Sequence, residues 1–210
     1  MKPIIAASLL SVLPLLNWPS SVAADSSQDP GAQLYRTCVA CHGAEGQGNR
    51  AMNAPRLAGQ LPWYLERQLK AFRSGARGNH PDDTWGGLMR ANAGALPDDE
   101  AVAIVAAYIG TFPQPDIMPA RTVDGDPERG KGLFRTCQAC HGAEGQGNTA
   151  MNAPRLRGQH DWYLVRQLDN FRQRVRGGAG DRYGAVMAPM ADALPGDQAI
   201  ADVVSHINSL

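Results

Sequence analysis

Cys38-Val39-Ala40-Cys41-His42 and, further along, Cys137-Gln138-Ala139-Cys140-His141 hold all four cysteines of this 210-residue chain. Cys-x-x-Cys-His is the pattern of covalent haem attachment. Each thiol can add across a haem vinyl group, and the adjacent imidazole then sits beneath the iron as its proximal ligand. Cys38, Cys41, Cys137 and Cys140 are therefore the candidate attachment residues, with His42 and His141 as iron ligands. No thiol is left for a disulfide, a nucleophile or an iron–sulfur cluster. Other readings are weaker. Zinc needs four ligands in one place, and each pair has a single histidine after it. A redox dithiol would accompany a βαβ pattern, which is missing, and a structural disulfide gives no reason for a histidine to follow both pairs.

The motif is part of a larger repeat. Arg36 to Gln60 aligns with Arg135 to Gln159, differing only at Val39/Gln138, Arg50/Thr149 and Ala58/Arg157. The match continues through Trp63-Tyr64-Leu65 with Trp162-Tyr163-Leu164 and Phe72 with Phe171. It then shifts by one residue to pair Ala95-Leu96-Pro97 with Ala193-Leu194-Pro195. A period of about 100 residues is too long for a solenoid, so the repeating unit is a whole domain. Residues 25–112 and 121–210 are the expected domains, joined by a linker at 113–120 that includes Pro113, Pro115 and Pro119.

Residues 1–24 read as a secretory signal: Lys2, an apolar stretch from Ile4 to Leu16, and small residues at Ser21-Val22-Ala23-Ala24. Pro14 and Asn17 break the stretch, which is short for a membrane span. Retention as an N-terminal anchor is the alternative. Covalent haem is attached outside the bacterial cytoplasm, so signal and motifs agree on a periplasmic protein, with association at the inner membrane an additional option.

The remaining pattern is helical. Asp29-Pro30 is a helix start, with Gly31 to Cys38 following. Leu65, Gln68, Leu69 and Phe72 fall at helical spacing within 61–74, and Leu164, Gln167, Leu168 and Phe171 repeat this within 161–174. A closing helix starts at Pro97-Asp98-Asp99-Glu100 with Val102, Val105 and Ile109 on its apolar face, and its counterpart carries Ile200, Val203, Val204 and Ile207. No alternating strand pattern competes, so the fold class is all-α. Haem would fill much of the core that so small a domain lacks.

A sixth iron ligand must come from elsewhere in each repeat. Methionine is the first candidate, since a thioether raises the potential. Met89 lies seven residues before Leu96 and Met187 seven before Leu194, equivalent places ahead of the closing helix. Met52 and Met151 are also equivalent, but they fall in the loop soon after the histidine, where packing is the better reading. Met190 aligns with Asn92, and Met118 is in the linker. Met89 and Met187 are the expected ligands.

With these residues in view, each half resembles a small class I cytochrome c domain, and the tandem chain is similar to the dihaem cytochrome c4 family. The resemblance covers essentially all of the chain after the signal. It rests on the two Cys-x-x-Cys-His motifs, Pro-Arg-Leu-x-Gly-Gln at 55–60 and 154–159, and the late methionine ahead of Ala-Leu-Pro-x-Asp. It implies two domains, each wrapped around one covalent haem c, packed about an approximate twofold axis. The late methionine is the family's distal ligand, which agrees with Met89 and Met187. A ligating imidazole needs its second ring nitrogen held by an acceptor. The resemblance gives that role to the carbonyls of Pro55 and Pro154. It also pairs Gly31 with Tyr35, and Gly130 with Phe134, where first and last helices cross. Arg56 and Arg155 would suit haem propionates, the alternative being solvated surface arginines. His206 stands where Tyr108 stands in the first half and reads as packing. His80 and His160 have no repeat partner and read as surface residues.

Charge excludes more than it assigns. Twenty basic and twenty acidic residues leave no net charge and no basic face, so nucleic-acid binding is not expected. Arg172, Arg174, Arg176 and Arg182 would suit an acidic redox partner or a membrane surface, and equally a solvated helix face. The leading function is an electron carrier working between redox proteins such as a terminal oxidase, a bc1-type complex or a periplasmic dehydrogenase. Alternatives are the dihaem subunit of a flavocytochrome c-type sulfide dehydrogenase and a dihaem thiosulfate dehydrogenase. The lack of a spare cysteine weighs against the last.

Overall fold

The computed structural model describes residues 28–114 and 118–210. The proposed signal at 1–24 and the middle of the linker lie outside them. The described residues form eight α-helices and no strands, four in each half: α1 (Pro30–His42), α2 (Pro62–Ser74), α3 (Thr84–Ala93) and α4 (Asp99–Gly110), then α5 (Pro127–His141), α6 (Asp161–Arg172), α7 (Arg182–Asp192) and α8 (Gly196–Ile207). The all-α, two-domain expectation holds.

Local chemistry sets the helix ends. Asp29 and Asp126 accept hydrogen bonds from the first free backbone N–H groups of α1 and α5, and proline follows each cap at a position that needs no donor. Both helices run on through the cysteine motif and stop at Gly43 and Gly142, whose φ values of 82° and 83° suit glycine. They are therefore longer than the sequence pattern suggested. α6 is shorter, because Arg174 takes a left-handed φ of 61° at the place of Gly75. Asp83 and Asp181 cap α3 and α7 through Gly86 N and Gly184 N.

In each half the first and last helices cross. A Cβ on Gly31 would collide with Tyr108, and one on Gly130 with the Asp202 carbonyl and His206, so glycine sets how closely the helices approach. Tyr35 lies against Tyr108, and Phe134 against His206 at 5.4 Å between ring centroids, which bears out the packing role given to His206. Val102, Val105 and Ile109 of α4 and Ile200, Val203, Val204 and Ile207 of α8 are all buried.

The halves meet through reciprocal bonds between equivalent residues. Gln60 Nε2 donates to Arg155 O at 2.9 Å and Gln159 Nε2 to Arg56 O at 2.9 Å. The Arg67 guanidinium grips Asn152 just as that of Arg166 grips Asn53. Exchange of partners between equivalent positions is the mark of an approximate twofold axis. His160 is drawn into this contact: its ring is half-buried on Trp162, with Nε2 3.0 Å from Gln47 O. It is therefore a domain contact and not a surface residue, while His80 is exposed as expected.

Candidate functional site

α1 and α5 bring each cysteine pair and its histidine to the mouth of a cleft. The four thiols are free and half-buried. Burial raises the Cys38 and Cys137 thiols above the usual range. His42 and His141 are 4 % and 5 % exposed, and each Nδ1 lies 2.8 Å from the Pro55 or Pro154 carbonyl oxygen. As donor, Nδ1–H fixes the ring and leaves Nε2 to face the cleft. Burial lowers the pKa of both imidazoles, and the proline carbonyls oppose this.

The loop after each histidine folds back on itself. Asn49 pairs with Ala54 and Asn148 with Ala153 in isolated antiparallel bridges, so the proline carbonyl returns beneath the ring. Asn53 and Asn152 make the turn with φ of 53° and 54°, a conformation asparagine tolerates better than most residues.

Met89 of α3 and Met187 of α7 line the same cavity as His42 and His141, a space of about 300 Å³ that spans both domains. A second space of about 60 Å³ holds Cys38, Cys41, His42 and Met89 together. Met89 and Met187 are half-buried. Met52 and Met151 are 44 % and 54 % exposed and line the cleft walls. Met190 is 41 % exposed.

The arginines are arranged differently from a simple surface reading. Arg56 and Arg155 are half-buried at the domain contact, where their backbone N–H groups donate to Gln159 and Gln60 at 3.0 and 3.1 Å. Arg56 Nη1 donates to Gly158 O, and its buried Nε has no partner among the described residues. Arg155 Nε donates to Arg157 O. Arg176 is 7 % exposed and bonds Tyr64 and Gln68 of the first domain, so it belongs to no solvated cluster. Arg172 and Arg174 pair with acidic neighbours. Gln68 and Gln167 also turn out to be interface residues. The signal was there: a glutamine recurs at an apolar-face position in both repeats.

The donor set fits a covalent haem in each half, with two free thiols, an anchored imidazole and a thioether around one apolar-walled cleft. The family model described as Cytochrome c matches residues 28–112 and again 127–210. Cytochrome c4 of Azotobacter vinelandii is 34 % identical over 187 residues, covering 82 % of this chain and 84 % of that protein. The chain belongs to the cytochrome c4 family. The chain is 28 % identical to the reduced recombinant cytochrome c4 from Pseudomonas stutzeri, whose crystal structure matches with a TM-score of 0.64 over 86 % of this chain and 96 % of that one. A protein of Stutzerimonas stutzeri (strain A1501) named thiosulfate dehydrogenase electron acceptor is 33 % identical, covering 97 % of this chain and 92 % of that protein. Two covalent haem c groups are the cofactors, and the protein is a dihaem electron carrier, not an enzyme. Its partners are redox proteins. Among the described residues no helix is long and apolar enough to cross a membrane.

Proposed function

We propose that this protein carries electrons in the periplasm, with thioethers at Cys38, Cys41, Cys137 and Cys140, iron held by His42 with Met89 and by His141 with Met187, and domains at 25–112 and 121–210 joined by 113–120 after removal of 1–24. The observation that carries the ligand assignment is the repeat of one arrangement in both halves: an imidazole anchored at Nδ1 by a proline carbonyl, and a methionine lining the same cleft. When bound, haem supplies a one-electron iron centre. Pro55 and Pro154 hold the proximal rings in one tautomer and orientation, which strengthens them as ligands. Met89 and Met187 would be the second protein ligand of each iron, and irons ligated in this way would offer a substrate no place to bind. Arg56 and Arg155, which line the cavity, would bring positive charge to the haem propionates.

The physiological donor and acceptor belong to the classes of terminal oxidase, bc1-type complex and periplasmic dehydrogenase. Resemblance to a thiosulfate dehydrogenase electron acceptor over nearly the whole chain favours a sulfur-oxidising dehydrogenase as donor. A peripheral association with the inner membrane fits a carrier between such partners. The test is a spectroscopic redox titration of the purified holoprotein, followed by stopped-flow mixing with a thiosulfate dehydrogenase and a terminal oxidase. Two low-spin haems that exchange electrons with such partners are expected. Turnover of thiosulfate, peroxide or nitrite by the isolated protein at an enzyme-like rate would overturn the carrier reading.

A further inference from the structure

α3 and α7, which carry the proposed distal ligands, are tied to their domains in different ways. In the first domain Arg90, next to Met89, donates from Nη1 to Asn79 Oδ1 at 2.9 Å, and Gly75 makes the turn after α2 with a φ of 79°. In the second domain Arg174 stands at the place of Gly75 and keeps the left-handed backbone, with a φ of 61°. Glycine enters that region without strain, whereas an arginine there costs stability. The Arg174 guanidinium turns back over the end of α6, where Nη1 donates to the carbonyls of Phe171 and Arg172, both at 2.9 Å. It also reaches Asp192, the last residue of α7, with Nη1 3.2 Å from Oδ1 and Nη2 donating to Oδ2. The grip is two-pointed and fixes direction as well as distance.

Neither member of this pair is where folding stability alone would put it. An acidic residue in the last turn opposes the helix dipole. Both side chains are open to solvent, where an ion pair adds little to stability. What the pair does is fix the end of α7, and that end needs holding. Pro189, two residues beyond Met187, has no N–H to give to the Ala185 carbonyl, so the turn that carries Met187 lacks a helical bond. Asp181 secures the other end of the helix through Gly184 N. The first-domain counterparts of Pro189 and Asp192 are Ala91 and Gly94, so the break and the clasp that spans it occur together, in the second domain alone.

We infer that Arg174 and Asp192 are positioning residues for the second haem: their clasp steadies α7 across the break at Pro189 and holds Met187 in place as ligand. The inference rests on Met187 being the distal ligand. A loosened α7 leaves the iron open for a larger fraction of the time, and an added ligand binds in proportion to that fraction. Imidazole titration of the ferric holoprotein, followed at the methionine charge-transfer band, therefore reads the clasp. Met187→Ala removes the second haem's share of the band and so identifies the phase of the titration that belongs to it; a full band in Met187→Ala would overturn the ligand assignment and the clasp with it. Arg174→Gly relieves the backbone, and Asp192→Asn removes the charge from the helix end, so neither lowers the melting temperature. In both variants imidazole affinity rises several-fold at the Cys137 haem, the potential of that haem falls because its thioether bond is weakened, and the Cys38 haem is unchanged. An unchanged affinity at the Cys137 haem, with Met187→Ala behaving as expected, would overturn the clasp alone. An equal rise at both haems, or a lowered melting temperature in both variants, would mean that the substitutions loosen the fold as a whole, and would also overturn it.

Discussion

In the proposed ligand set, Met89 and Met187 are the side chains on which the electronic character of each haem turns. A methionine bound to ferric iron gives a charge-transfer band at the red end of the visible spectrum. Met89→Ala and Met187→Ala are each expected to remove about half of it, since the proposed set gives each haem one such ligand. Met190→Ala leaves both haems six-coordinate. An unchanged band in Met89→Ala would move that ligand to another side chain. At this scale the sequence was legible wherever covalent chemistry fixes the residue. Cysteine, histidine and the anchoring proline stand at fixed separations along the chain, and Pro55 and Pro154 are found 2.8 Å from their rings. Arg176 and His160 were not legible, because nothing local tells whether a polar side chain meets water or another domain.

The crossing of α5 with α8 shows how a few elements carry the second domain. Asp202 of α8 is buried and accepts from Arg129 Nε at 2.8 Å, from Asp126 N at 2.8 Å and from Gln198 Nε2 at 2.9 Å, tying the start of α5 to the closing helix. The equivalent position in α4 is Ile104, so only the second domain has this tie. The Arg129 guanidinium and the other donors hold the Asp202 carboxyl well below the usual range. Its stabilisation is therefore complete above the unfolded pKa of about 4, and is lost as the pH falls from there toward the depressed native value. Asp202→Asn is expected to cost about 1–3 kcal/mol at pH 7 and progressively less in acid. Thermal melts at pH 7 and pH 3 read the difference, and an equal loss at both would discount the charged pair. Gly130→Ala drives a Cβ into the Asp202 carbonyl and should cost about 1–3 kcal/mol, or prevent α5 from docking. The strongly patterned helices were visible in advance. α3 and α7 were not, because Gly86, Gly87, Gly184 and Pro189 are poor helix formers, and capping by Asp83 and Asp181 together with tertiary packing holds them in shape.

For the whole molecule, the two haems have nearly identical attachment loops but different electrostatic surroundings. Residues 25–120 contain 8 basic and 10 acidic side chains, and residues 121–210 contain 11 and 10. The structure adds a local difference, since Arg157 stands beside the second loop where buried Ala58 stands in the first. Positive charge disfavours the ferric state, so the Cys137 haem is expected to have the higher potential. Redox titration of the variants lacking Met89 or Met187 assigns each wave, and a higher wave on the Cys38 haem would refute the order. Arg157→Ala should lower the Cys137 potential by a small amount, because that side chain is open to solvent and its field is screened.

The sequence by itself determined two haem domains, their attachment residues and their helical frames, because thioether chemistry and helical periodicity act over short stretches of chain. Only the tertiary structure decided how the halves face each other. The bonds of Arg67, Arg166, Arg77 and Arg176 join residues that are far apart in the chain but adjacent across the interface. Whether an arginine ends in water or in a shared chamber depends on the docking of two folded surfaces, and no local pattern of residues encodes that geometry.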